Sequence, residues 1–254
     1  MKKKSAVVLM CLFLTLANCS SCYHVQKASG FFAWMDGYVA VAEKTRFTFA
    51  LTYFYESKDA PIKMENVIGL AFENISNNVK IDSYSIEKNS GNDGDKYSAY
   101  GVTVVCSASS IGSFETDHLI IQFADNSQLS YPIGAWVFDI GAGEPDTEYV
   151  DTWGSPAASQ VGNVFPYIYV TESDVKISKI WVGKDTVISN EDGLDLSGNI
   201  KLESSAPISY IKSKIEISRN GEKHIFYAKG CYCGAYGIDE SVLDLFSEYT
   251  DKNK

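Results

Sequence analysis

Between residues 47 and 55 large side chains take every second place: Phe47, Phe49, Leu51, Tyr53 and Tyr55, separated by Thr48, Ala50, Thr52 and Phe54. A spacing of two sets one row of side chains on a single face of a strand. That period is incompatible with a helix and commits the segment to a sheet. Similar runs follow at Val67 to Phe72, Val79 to Ile86, Tyr100 to Cys106, His118 to Phe123 and Leu129 to Ile133. A second series covers Tyr167 to Val170, Val175 to Val182, Ile200 to Leu202, Ile208 to Ile217 and His224 to Ala228. The connections carry turn residues, as in Asn92-Asp93-Gly94-Asp95 and Asp125-Asn126-Ser127. Asn220-Gly221 is a two-residue hairpin signal. Short strands joined this way predict a mainly β sandwich and not a parallel α/β sheet.

Gly141-Ala142-Gly143-Glu144-Pro145-Asp146 interrupts the strand series and marks a boundary. An offset of 96 residues aligns four separated pieces of the chain. Val79-Lys80-Ile81 falls on Val175-Lys176-Ile177, Val104 and Cys106 on Ile200 and Leu202, Leu119 and Ile121 on Ile215 and Ile217, and Tyr131 and Gly134 on Tyr227 and Gly230. These positions predict two tandem β-sandwich domains, resembling immunoglobulin domains, over 31–143 and 144–254. Cys106 then takes a core position equivalent to Leu202. The second domain is expected to end in a short helix from Asp239 to about Tyr249. Ile238 and Leu243 form its hydrophobic staple, and Val242, Leu245, Phe246 and Tyr249 share one face.

The first residues carry a different message. Lys2, Lys3 and Lys4 precede an apolar run from Ala6 to Leu16, broken only by Thr15. A basic start and a short apolar run make a secretory signal peptide, and the run is too short to span a bilayer. Leu16-Ala17-Asn18-Cys19 resembles the lipobox of bacterial lipoprotein precursors, with Asn18 standing where that family has Gly, Ala or Ser. The resemblance implies cleavage by signal peptidase II after residue 18 and acylation of Cys19. Cys22 is the poorer candidate, since the aliphatic position before it is taken by Cys19. Residues 1–18 are then the signal peptide and 19–30 a lipidated tether. Acyl chains hold a protein at a bilayer because each buried methylene contributes about 0.8 kcal/mol.

Charge narrows the partners. Loss of Lys2, Lys3 and Lys4 with the leader takes the net charge from −10 to −13. A surface so acidic repels nucleic acid phosphates and lacks a polybasic membrane-docking face. Cys22, Cys106, Cys231 and Cys233 are too few for a disulfide scaffold. A zinc set of Cys231, Cys233 and His224 lacks its second ligand pair. The acidic loops Asn89 to Asp95 and Asn190 to Asp195 match no calcium motif and read as turns.

The sequence holds no nucleophile elbow, P-loop, HExxH or dinucleotide fingerprint. No residue is therefore assigned to catalysis, to a cofactor or to a metal. Among the tryptophans, Trp153 in a Thr-Trp-Gly-Ser segment and Trp181 beside Ile180 are the candidate ligand-binding residues. The expectation is a non-enzymatic binding or adhesion module, anchored to the extracytoplasmic face of a cell membrane through Cys19. Its partner would be an envelope protein or a glycan. The alternative is an accessory subunit of an envelope complex such as an exporter or assembly machine.

Overall fold

The structure, a computed structural model, describes residues 30–56, 60–89, 97–142, 150–153 (backbone) and 163–234. The signal peptide, Cys19, the boundary residues 143–149 and the expected helix at 239–249 lie outside these residues. Seventeen strands and no helix make up the described chain. The first eight are β1 (Gly30–Phe32), β2 (Met35–Ala42), β3 (Arg46–Tyr55), β4 (Val67–Phe72), β5 (Val79–Lys88), β6 (Ser98–Ala108), β7 (Gly112–Phe123) and β8 (Gln128–Gly141). After residue 149 come β9 (Val150–Trp153), β10 (Val164–Thr171), β11 (Val175–Trp181), β12 (Val187–Ser189) and β13 (Ser197–Lys201). The last four are β14 (Ile208–Lys212), β15 (Lys214–Arg219), β16 (Glu222–Tyr227) and β17 (Cys231–Gly234).

The strands form four sheets, in the orders β1-β3-β6-β5, β17-β14-β2-β8-β7-β4, β13-β10-β9 and β12-β11-β15-β16. The alternation at 47–55 does what its period requires. Phe47, Phe49, Leu51 and Tyr53 are buried on one face of β3, in a core closed from the other side by β2, β8, β7 and β4. Trp136 of β8 is the largest buried side chain there. It stacks on Phe49 at 4.6 Å between centroids and donates from Nε1 to Ile133 O. Cys106 is wholly buried in the same core.

A second core lies between the two smaller sheets, from Phe165, Tyr167, Ile177, Ile180, Ile215 and Ile217. The pairing β3 with β6, β4 with β7 and β7 with β8 recurs as β10 with β13, β11 with β15 and β15 with β16. The 96-residue offset matches equivalent strands for β6 and β13, β7 and β15, and β8 and β16. It fails at its first piece. Val79 opens β5, which pairs only with β6, whereas Val175 opens β11, a strand between β12 and β15.

The two halves are not joined end to end. The segment 208–217, expected as one strand, breaks at the fully buried Ser213. Its second part, β15, stays with the second core. Its first part, β14, leaves to pair in parallel with β2 and antiparallel with β17. β14 and β17 thereby complete the six-stranded sheet begun by the first half. Two tyrosines fix them there. Tyr210 Oη donates to Thr48 O, while Tyr232 Oη accepts from Ala50 N and donates to Ala50 O. These hydroxyls satisfy backbone groups on the part of β3 that β1 leaves uncovered. β2 serves both cores: Met35, Val39 and Val41 face the first, and Tyr38, Ala40 and Ala42 the second.

Turn chemistry behaves as its residues dictate. Asn220 and Gly221 both take positive φ, at 53° and 83°, and close the β15–β16 hairpin. In the β7–β8 turn, Asp125 Oδ1 accepts from Ser127 N at 2.9 Å and from Ser127 Oγ at 2.6 Å, and these bonds hold the Asp125 carboxyl below its usual range. Asn190 Oδ1 likewise accepts from Asp192 N in the second acidic loop. The other acidic loop is described only at Asn89.

Candidate functional site

The crossing of β14 onto β2 places residues from both halves around one cleft of about 320 Å3. Asp36 and Tyr38 of β2 and Val137 of β8 line one side. Lys184 and Asp185 from the β11–β12 turn, with Ser204 from the segment after β13, line the other. Asp36 is held from three directions. Its Oδ1 accepts from Trp34 Nε1 at 3.2 Å and from Ala135 N at 3.0 Å, and its Oδ2 accepts from Ser204 Oγ at 2.7 Å. The residues at 34–36, 135 and 204 are thus tied to one carboxylate. Lys184 is fixed by an ion pair with Glu115 of β7, which keeps its ammonium charged above the usual lysine range.

Behind the cleft a half-buried polar cluster joins the halves. Asp139 Oδ2 on β8 accepts from Tyr38 Oη at 2.8 Å and from Lys214 Nζ at 2.5 Å. Burial, reinforced by the Asp139 charge, pushes the Tyr38 hydroxyl far above its normal range. Lys214 also lies 4.9 Å over the ring of Trp181, with Lys179 at 5.8 Å. Trp181 is therefore a half-buried platform for cations of its own chain, next to the turn that rims the cleft. Trp153 ends β9, paired in register with Ile168 of β10, in a different sheet from Trp181.

Cys231 and Cys233 point the same way from β17, with sulfurs 3.9 Å apart. Both are free thiols. The contact with Cys233 holds the Cys231 thiol below its usual range and raises that of Cys233. Among the described residues, one group of three metal-ligating side chains has its donor atoms close enough to share an ion: Glu73, Asp117 and His118, and neither cysteine belongs to it.

Sequence reasoning missed Asp36, Asp139, Lys214 and His118. Asp36 and Ser204 are 168 residues apart, and Asp139 and Lys214 are 75 apart, so no local pattern announces either pair. For His118 a signal existed: Glu115-Thr116-Asp117-His118 interrupts the apolar alternation of its strand. The cleft offers fixed charges and hydroxyls of both donor and acceptor type. Its geometry suits recognition of a polar ligand by hydrogen bonds.

No protein-family model matches the sequence, and no curated protein matches it. Among solved structures the chain is similar to cadherin-like domains 1 to 4 of zebrafish RET, at 10% identity and a TM-score of 0.29, over 82% of this chain and 51% of that one. It spans about half the length of that structure. It is also similar to the fibronectin(III)-like modules of Clostridium thermocellum CbhA, at 8% identity and a TM-score of 0.23, over 82% and 95% of the two chains. A third is Bacteroides ovatus SGBP-B in complex with a mixed-linkage heptasaccharide, at 11% identity and a TM-score of 0.22, over 78% and 43%. At TM-scores this low the all-β architecture rests on its own strand pairing.

Proposed function

We propose that this chain is a lipid-anchored, non-enzymatic binding module of the cell envelope. Cys19 carries the acyl anchor, and two immunoglobulin-like repeats, fused through the shared β2–β14 sheet, present the cleft around Asp36 and Lys184 to a polar ligand. The observation that carries this reading is the preformed cleft itself. Its walls come from both halves, and two of its charged groups, Asp36 and Lys184, are held by contacts within the chain, which lowers the ordering cost of binding.

The test uses the chain from residue 20 to 254, without lipid, against a panel of purified polysaccharides, cell-wall material and solubilised envelope extract. Ser209→Trp fills the cleft, and Lys184→Ala removes its exposed cation. Loss of the captured ligand in both variants, with unchanged circular dichroism, supports the reading; equal capture by the filled variant sinks it. For the anchor, a Cys19→Ala chain is expected in the soluble fraction. Continued partition into membranes with acyl label would count against Cys19.

One feature favours the second reading, a subunit of an envelope complex. Val164, Ile168 and Val170 form an exposed apolar row along β10, at 39%, 46% and 56% exposure, with Leu196 at 44%. Residues an even number apart share a face of a strand, so the three lie on one side of β10, and exposed apolar patches of this kind mark partner-binding surfaces. An Ile168→Asp, Val170→Asp chain that loses a stoichiometric membrane partner, while Ser209→Trp keeps it, would favour this reading over the first.

A further inference from the structure

We propose that Glu73, Asp117 and His118 form a site for a divalent transition-metal ion of the zinc class. This goes beyond the binding reading above and does not depend on it. Glu73 follows β4 directly, and Asp117 and His118 lie in β7, the strand that pairs with it. Glu73 N donates to His118 O at 3.1 Å, so the backbone fixes the two ligand-bearing segments to each other.

Successive residues of a regular strand point to opposite faces. Here the β7–β8 pairing slips between Thr116 and His118: Asp117 alone on β7 stands opposite three residues, Ile133 to Ala135, on β8. Such a bulge re-aims side chains, and in this one the neighbouring Asp117 and His118 converge. Asp117 Oδ1 is 2.8 Å from His118 Nδ1, and Glu73 Oε2 is 3.9 Å from the same nitrogen. All three donor atoms lie within 4.8 Å of one another.

Nδ1 carries at most one proton, so it can donate to Asp117 or to Glu73 but not fully to both. Neither carboxylate has a lysine or arginine within ion-pair distance among the described residues. Among the described residues their basic neighbour is His118. Two carboxylates facing one imidazole nitrogen leave a negative centre that a divalent cation would balance. One nitrogen and two oxygens are a borderline donor set, which suits zinc and its neighbours over calcium, a cation that takes six to eight oxygens. His118 and Glu73 are half-exposed and Asp117 more so. A cavity of about 300 Å3 lined by Asn74, Thr116 and Asp117 adjoins the group, with room for water at the remaining coordination positions.

The test is titration of the metal-stripped full-length protein with zinc, and with cobalt as a spectroscopic probe. It is done in a Cys11→Ser, Cys19→Ser, Cys22→Ser, Cys231→Ser, Cys233→Ser background, so that the one thiol left is the buried Cys106. One ion is expected to bind per chain. His118→Ala is expected to weaken binding at least tenfold and to abolish the cobalt d–d band. Asp117→Asn should weaken it less, and His224→Ala not at all. Retention of full affinity in His118→Ala, loss of binding with the cysteine substitutions alone, or no binding at millimolar zinc would each overturn the proposal.

Discussion

Single residues decide whether strands of this chain can approach each other. A Cβ added at Gly37 would lie 2.1 Å from Trp136 Cε3, inside a core where the indole is already stacked on Phe49. Gly37→Ala is therefore expected to destabilise by about 2 kcal/mol or more, as overpacking does. That is roughly 5 °C in a thermal melt of a chain this size. The thiols divide in the same local way. Burial pushes Cys106 up to about 12, whereas Cys231 is only partly buried and is held below the normal range by Cys233. Iodoacetamide at neutral pH should label Cys231 ahead of Cys233 and Cys106, and Cys106 only after denaturation. Mass spectrometry of timed digests reads the order, and early labelling of Cys106 would refute it. The buried state of Cys106 could be read from its place in an alternating run. The pairing of Cys231 with Cys233 could be read from their spacing, but the asymmetry between them could not.

Elements were legible where one face is wet. β3 shows its period because Arg46 and Thr48 face water while Phe47 and Phe49 do not. β2 gave no such signal. Its sequence, Met-Asp-Gly-Tyr-Val-Ala-Val-Ala, is apolar on both faces because each face meets a different core. β14 and β15 ran together in the sequence because the chain changes sheets at a single serine. Next to that serine Lys212 donates to Ala228 O. Burial pushes its ammonium down from 10.5 to about 8. Between these values the unfolded chain binds a proton that the folded chain does not, so this group makes stability rise with pH from about 8 to about 10.5. The full gain is about 3 kcal/mol at 1.36 kcal/mol per pKa unit. Lys212→Met should flatten that rise, seen as a smaller difference between urea midpoints at the two ends of the window. An unchanged pH slope in Lys212→Met would place the lysine in water.

At the scale of the molecule, the halves are held by the shared sheet and by a polar cluster. Asp139 and Lys214 are 24% and 20% exposed, so removing one partner leaves the other partly desolvated. Asp139→Asn should cost about 2 kcal/mol, below the usual range for a fully buried pair. Adding Lys214→Met should recover part of it, and the coupling is read from the double-mutant cycle. Trp181 emission should shift in both single variants, since Lys214 sits over its ring. Additive costs and unmoved emission would mean that the contact carries nothing. The β class was visible in the sequence. The exchange of β14 and β17 into the other half was not, because it depends on partners more than 150 residues away. That exchange imposes an order of events on a chain that is made from its N-terminus. Until β14 emerges, β2 has no neighbour on one side, and its backbone donors and acceptors there stay open. The first sandwich must wait, half-made, for nearly the last strands. A chain stopped before residue 207 should self-associate through that edge, and the complete chain should fold slowly for its size, at a rate set by this late closure.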